Sequence, residues 1–204
     1  MTPKASLRQR ALTRLPLLGS ALALAGCASR PPLPTVQEVD LERFMGDWYV
    51  QAHIPAGAEK NAYNGVESYA LGEDGEILTS YVFREGAFDG ALETKEPKGV
   101  VRDTTTNATW GMQFFWPLEF EYLVAHLDSS YSETIIARTK RDYAWIMTRD
   151  PMISDERMES LTARLAEMGY DTGKLRRVPQ QWPDDEHPVS KAGGDLATWT
   201  RENS

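Results

Sequence analysis

The feature that most limits the fold is a succession of strand-length segments joined by connections too short to hold a helix. Eight such segments run over residues 46–54, 65–71, 76–84, 97–103, 108–115, 120–127, 133–139 and 143–149. β-Branched and aromatic residues recur within them, while Asp, Asn, Gly and Ser collect between them. Glu73-Asp74-Gly75-Glu76 reads as a hairpin turn, and Asp103–Asn107 and Asp128–Ser132 are rich in turn formers. Parallel neighbours would need long, usually helical crossovers, so the strands are expected to be antiparallel and sequentially adjacent. Eight such strands can close into an up-and-down barrel with no free edge and an interior suited to one small ligand. On periodicity alone a two-sheet sandwich is the principal rival.

One helix is expected, packed outside the sheet after the last strand. Ser154 can cap it, Asp155 and Glu156 place negative charge at its positive end, and Met158, Leu161, Leu165 and Met168 recur at helical spacing before Gly169. Leu175–Val178 reads as a short added strand. Beyond Trp182 an acidic stretch, Asp184-Asp185-Glu186, gives way to glycines and small polar residues. Residues 183–204 are therefore expected to form a flexible acidic tail, and residues 40–182 the folded domain.

The N-terminus has a different character. Lys4, Arg8, Arg10 and Arg14 precede an apolar run from Leu15 to Ala25, interrupted by Pro16 and Gly19. That run is shorter than the ~20 apolar residues a spanning helix needs, so it reads as an export signal. It ends in Leu24-Ala25-Gly26-Cys27, which resembles the lipobox of bacterial lipoproteins. The resemblance implies a signal peptide over residues 1–26, a diacylglyceryl group on the Cys27 thiol, and cleavage that leaves Cys27 first in the mature chain. Acyl chains worth ~0.8 kcal/mol per buried CH2 would then anchor the protein. Residues 27–39, with Arg30-Pro31-Pro32-Leu33-Pro34, read as a lipidated N-terminus and stiff tether. Ala28 follows the cysteine where aspartate would favour the inner membrane, so the resemblance implies the outer membrane, with the barrel facing the periplasm.

Composition removes several functions. Cys27 is the only cysteine, which excludes an internal disulfide and an all-cysteine metal cage. The whole chain has 30 acidic and 22 basic residues, and removing residues 1–26 leaves 30 against 18, a net charge of −12. Nucleic acid is thus not expected as a partner. An anionic lipid would have to be held by apolar burial with local polar partners, since the overall field repels it.

Two motifs carry a family resemblance. Phe44-Met45-Gly46-Asp47-Trp48-Tyr49 is similar to the Gly-x-Trp signature that opens the first strand of lipocalins, and Arg141–Pro151 matches the last strand and the arginine that ends it. The chain resembles that family over nearly all of residues 40–180, most closely its bacterial outer-membrane lipoprotein members. The resemblance selects the barrel over the sandwich: an all-β, eight-stranded antiparallel barrel with one C-terminal helix outside. It assigns Gly46, Trp48 and Arg149 to a structural signature, with Arg149 stacked across the Trp48 ring at the narrow end. Many bacterial members carry a Phe-Glu-Arg-Gly-like stretch in the first loop. This chain has Ile54-Pro55-Ala56-Gly57-Ala58-Glu59-Lys60-Asn61 there, a departure that touches the cavity mouth.

Alternation then proposes the lining. Val50 and Ala52 share the side of Trp48, and Tyr143, Trp145 and Met147 that of Arg149; Tyr81 and Phe83 form another inward set, as do Trp110, Met112 and Phe114, and Tyr122, Val124 and His126. From these, Phe83, Trp110, Met112, Phe114, Tyr122, His126, Tyr143 and Trp145 are the candidate ligand-binding residues. The expected ligand is a long-chain fatty acid or lysophospholipid, with no cofactor, no metal and no catalysis; no nucleophile elbow, phosphate loop or histidine triad is present in the sequence. A homodimer is compatible with the sequence. The alternative reading is a structural or protein-interaction lipoprotein whose barrel is filled.

Overall fold

Short polar side chains close the turns that the sequence marks. Asp128 accepts backbone N–H bonds from Ser130, Ser132 and Glu133 at 3.1, 2.6 and 2.7 Å, and Asp103 accepts one from Thr105 at 2.9 Å. Gly75 sits at φ +74°, the left-handed region that a tight hairpin needs and glycine enters freely. The computed structural model in which these turns are seen describes residues 31–55 and 58–182. Residues 1–26, read from the sequence as an export signal, Cys27, read as the lipid attachment point, and residues 183–204, read as a tail, lie outside the described residues.

The strands are β1 (Gly46–Ile54), β2 (Ala62–Leu71), β3 (Glu76–Glu85), β4 (Leu92–Lys95), β5 (Lys98–Val101), β6 (Thr109–Phe115), β7 (Leu118–Leu127), β8 (Glu133–Ala137), β9 (Ala144–Thr148) and β10 (Arg176–Arg177). Every pairing is antiparallel. Eight of the strands, β1, β2, β3 and β5 to β9, follow one another around the sheet, and β9 pairs with β1 from Tyr49↔Thr148 to Ile54↔Ala144. That last ladder closes an eight-stranded barrel and excludes the sandwich. All eight expected strands are present. The short β4 extends the pairing of β3 toward one end, and β10 adds to β1 at Ala52↔Arg177, where the short added strand is expected.

Two helical elements flank the barrel. One turn, α1 (Leu41–Phe44), is capped by Asp40, whose carboxylate accepts from the Arg43 N–H. It lies just before β1, where sequence periodicity is too short to announce it. The second, α2 (Asp155–Glu167), is capped by Ser154 as expected. Its Met158, Leu161 and Leu165 are buried against Leu123, Ile135, Ala137 and Ile146 on the outer face of the sheet. Each such side chain contributes roughly 1.5–3 kcal/mol by leaving water. Gly169 ends the helix at φ +84°.

Residues 31–39 differ from the tether that their prolines suggest. Leu33 is buried in the same outer cluster as α2, and Val39 is fully buried in the barrel core. The Val36 and Val39 N–H groups bond the Val124 and Thr106 carbonyls at 3.0 and 2.7 Å. Proline holds this segment extended, and two aliphatic side chains at the right spacing pin it, so the packed domain begins before residue 40.

Bulges correct the facing of two residues. Register shifts between Val50 and Ala52 on β1. Val50 therefore stays inward beside Trp48 while Ala52 turns outward to the α2 cluster. A second shift, between Val124 and His126 on β7, does the same to His126. One extra residue in a strand moves all that follows it to the opposite face.

Candidate functional site

One end of the barrel is sealed by a plug. Trp48 is fully buried, its indole N–H donates to the Phe44 carbonyl at 2.9 Å, and the Arg149 guanidinium lies 3.9 Å from its ring centroid. A single helical turn leaves its final carbonyls without partners, and Arg149 supplies them. It donates to the carbonyls of Arg43, Phe44 and Met45 at 3.0, 2.9 and 2.8 Å, and to that of Asp47 at 2.7 Å. Burial lowers the Arg149 pKa to about 10, which leaves it charged at neutral pH. Gly46 stands at φ +88°, and a Cβ there would approach the Arg149 Nη1 to 3.4 Å. The Gly-x-Trp spacing thus serves one local geometry: a left-handed residue under an arginine, then a ring beneath the same arginine.

Above the plug lies an aromatic floor. Phe44 touches Trp48 and Trp110 at centroid distances of 5.0 and 5.3 Å, and Trp110 stacks on Tyr122 at 5.3 Å. The Trp110 N–H donates to the Asn107 carbonyl at 2.7 Å, and the Tyr69 and Tyr122 hydroxyls bond each other.

Beyond this floor a cavity of about 310 Å³ opens toward the other end of the barrel, at the lower end of the range for small-ligand sites. Its buried part is lined by Glu67, Tyr81, Met112, Tyr122 and Trp145, with Tyr143 partly buried beside them. Toward the mouth it is lined by Lys95, Phe114, Phe115, Phe120, Glu121, Arg138 and Glu59, and the buried Pro97 also contributes to the wall. The Arg138 guanidinium lies 5.5 Å from the Phe120 ring centroid and pairs with Asp142 at 3.4 Å. The β6–β7 hairpin carries a contiguous apolar tip: Phe115 is 62% exposed and Trp116 86%.

The structure divides the eight candidate ligand residues. Met112, Phe114, Tyr122, Tyr143 and Trp145 come together on the cavity wall. Phe83 and Trp110 face inward as expected but are packed in the core: Phe83 stacks on Tyr81 at 5.0 Å and Trp110 belongs to the floor. His126 does not reach the cavity. The β7 bulge sets it opposite Ile135, which packs on the outer cluster, and its Nε2 lies 3.3 Å from Glu133, a carboxylate also bound by Arg157 of α2 at 2.9 Å.

Glu67 is the lining residue that the residue pattern of β2 conceals. It is 1% exposed and paired directly with Tyr81 across β2–β3. It shares the parity of the inward Tyr69, and a carboxylate at core parity is the signal that marks it. Burial raises its pKa well above the ordinary 4.5, and the charge of Glu59 adds to the shift. The buried hydroxyls of Tyr81, Tyr122 and Tyr143 are likewise raised by burial. Burial thus disfavours charge throughout this part of the interior. Among the described residues no group of three or more His, Cys, Asp or Glu could hold a metal ion.

The comparisons with known proteins agree with this geometry. The family model of the lipocalin-like domain matches residues 39–180. The outer membrane lipoprotein Blc of Escherichia coli K12 is 30% identical over 174 residues, which cover 81% of this chain and 97% of that protein. Temperature-induced lipocalin-1 of Arabidopsis thaliana is 28% identical over 163 residues, 72% of this chain and 83% of its own. Among solved structures, insecticyanin of Manduca sexta superposes with a TM-score of 0.57 at 16% identity, covering 76% of this chain and 86% of its own. The chain belongs to the lipocalin-like family, and its similarity includes outer-membrane lipoproteins of bacteria.

Proposed function

We propose that this protein holds or transfers a long-chain fatty acid or lysophospholipid in its barrel cavity while anchored to the outer membrane through Cys27. The observation that carries the reading is the cavity itself: an aromatic and Met-containing wall open at one end and sealed by the Trp48–Arg149 plug at the other. Apolar burial supplies affinity along such a wall, and a thioether and aromatic rings adapt to a flexible chain. The work is non-covalent. Met112, Phe114, Tyr122, Tyr143 and Trp145 are the contacts assigned to the ligand.

The anchoring half of the proposal rests on the lipobox and on the likeness to a protein named as an outer membrane lipoprotein. The signal peptide 1–26, the acyl group on Cys27 and a barrel facing the periplasm follow from it. Substituting Cys27→Ser should release the protein from the membrane fraction, and a variant that stays membrane-bound would refute the anchor.

Native mass spectrometry of gently purified protein tests the binding half, with titration of the delipidated protein by fatty acids and lysophospholipids. A co-purified lipid and saturable binding are expected; no saturable binding of either class refutes the reading. The exposed tip around Phe115 and Trp116 favours one second reading, a docking face for another envelope protein. A stable protein complex lost on substitution of that tip, with no lipid bound, would select it.

A further inference from the structure

The cavity wall carries polar atoms that the fold leaves unpaired. The Glu67 Oε2, the Tyr81 hydroxyl and the Trp145 indole N–H are buried without a hydrogen-bond partner among the described residues, and all three residues line the cavity. A buried polar group left unmatched costs ~1–3 kcal/mol, so three on one stretch of wall call for a ligand group that matches them.

Their placement is built into the strands. Glu67 and Tyr81 oppose each other directly across β2–β3, and the Tyr81 ring packs on Trp145 at a centroid distance of 4.8 Å. Gly65 leaves the space that the Tyr81 hydroxyl occupies: a Cβ at that position would stand 2.8 Å from the oxygen. The floor beneath is already satisfied, Tyr69 with Tyr122 and Trp110 with Asn107. These three atoms thus form a group between floor and mouth, apart from the Arg138 Nε, which is also without a partner among the described residues and stands at the mouth.

Two facts limit what can sit there. Burial disfavours charge beside Glu67, so an anionic head group belongs at the mouth, where Lys95 and Arg138 stand among Glu59 and Glu121. A plain hydrocarbon chain would cover the three polar atoms and satisfy none. A hydroxyl donates one hydrogen bond and accepts two, which suits a carboxyl beside two N–H or O–H donors.

We propose that Glu67, Tyr81 and Trp145 form an inner polar subsite for a hydroxyl carried on the acyl chain, so that the cavity selects hydroxylated long-chain fatty acids over unsubstituted ones. This rests on the lipid-binding reading above and specifies its ligand. The carboxylate stays at the mouth and the chain enters first. Its hydroxyl donates to Glu67 and accepts from Tyr81 or Trp145.

The test titrates the purified, delipidated full-length protein with stearate, a mid-chain hydroxystearate and ω-hydroxystearate. At least one hydroxylated acid should bind about tenfold more tightly than stearate, the equivalent of about 1.4 kcal/mol. Glu67→Leu and Tyr81→Phe should each bring that ratio close to one, with Glu67→Leu tightening stearate; Glu67→Gln, which keeps a neutral hydrogen-bonding group, should retain most of it. Stearate binding itself reports that each variant is folded. Equal affinity for all three acids, or a preference that survives both Glu67→Leu and Tyr81→Phe, overturns the subsite and leaves lipid binding standing. Absence of saturable binding by any of the three overturns both.

Discussion

At the closed end of the barrel a tryptophan is fully buried and its N–H and stacking arginine are matched to carbonyls, whereas at the mouth a tryptophan is 86% exposed and buried polar atoms below it have no partner among the described residues. The same residue types serve both ends. What differs is satisfaction: the buried donors of the plug have carbonyl partners, and several polar atoms of the cavity have none among the described residues. The contrast separates residues that hold the fold from residues assigned to the proposed ligand, and each set can be substituted without the other.

Removing the plug should have the largest effect. Trp48→Ala deletes a fully buried large aromatic and is expected to cost about 3–5 kcal/mol in urea unfolding. A loss below about 1 kcal/mol would mean that the closed end is not the anchor described here.

Arg149→Gln comes next. It removes a charged stack and the guanidinium donors to the carbonyls of Arg43, Phe44, Met45 and Asp47, of which Phe44 keeps the Trp48 N–H. A cost of about 2–4 kcal/mol is expected, with Arg149→Lys recovering little because an ammonium cannot lie flat on the ring and reach several carbonyls. Full recovery by lysine would reduce Arg149 to its charge.

Titration sharpens the comparison inside the barrel. His53 is fully buried, neither ring nitrogen has a partner among the described residues, and burial lowers its pKa to about 4. Below its ordinary 6.5 the unfolded chain takes up a proton that the folded chain refuses. Stability should therefore fall as pH drops from 6.5 toward 4, by about 3 kcal/mol in all, and a His53→Leu variant should lose that dependence. Glu67 acts with the opposite sign. Its folded pKa is raised, so its contribution is complete below 4.5 and lost as pH rises through the folded value. Over that window Glu67→Gln should gain on the parent by up to about 1.4 kcal/mol per pH unit. Unfolding curves of the three proteins from pH 4 to 8 measure both slopes; parallel curves for Glu67→Gln and the parent would show that Glu67 is ionised in the folded protein.

Much of this division is legible in the sequence, and the illegible part has local causes. The eight strands, the capped helix and the Gly46–Trp48–Arg149 plug follow from alternation, turn chemistry and a motif whose geometry is short-range. Ala52 and His126 are misplaced by alternation because a bulge in each strand inserts one residue, and neither Val50–Ala52 nor Val124–His126 contains the glycine that would announce it. Residues 31–39 look like a tether because proline content speaks of stiffness and says nothing about whether Leu33 and Val39 find a groove. Glu67 is hidden for a different reason. A carboxylate in a strand is ordinarily a solvent-facing residue, and only its pairing with Tyr81 and Trp48 shows that this one points into the barrel.

The smallest effect is expected at the tip of the mouth, and it is the one that separates the two ends most cleanly. Phe115 and Trp116 project from the β6–β7 hairpin with 62% and 86% of their surface in water. Replacing exposed side chains removes little packing, so Phe115→Ser with Trp116→Ser should change unfolding stability by no more than about 0.5 kcal/mol, against several for Trp48→Ala. Phe115 also lines the cavity entrance, the route that the proposed lipid would take. The double variant should accordingly change the rates of lipid uptake and release in stopped-flow fluorescence while urea unfolding stays level. A large loss of stability would show that the tip is part of the folded core, and unaltered exchange rates would show that lipid reaches the cavity by another path.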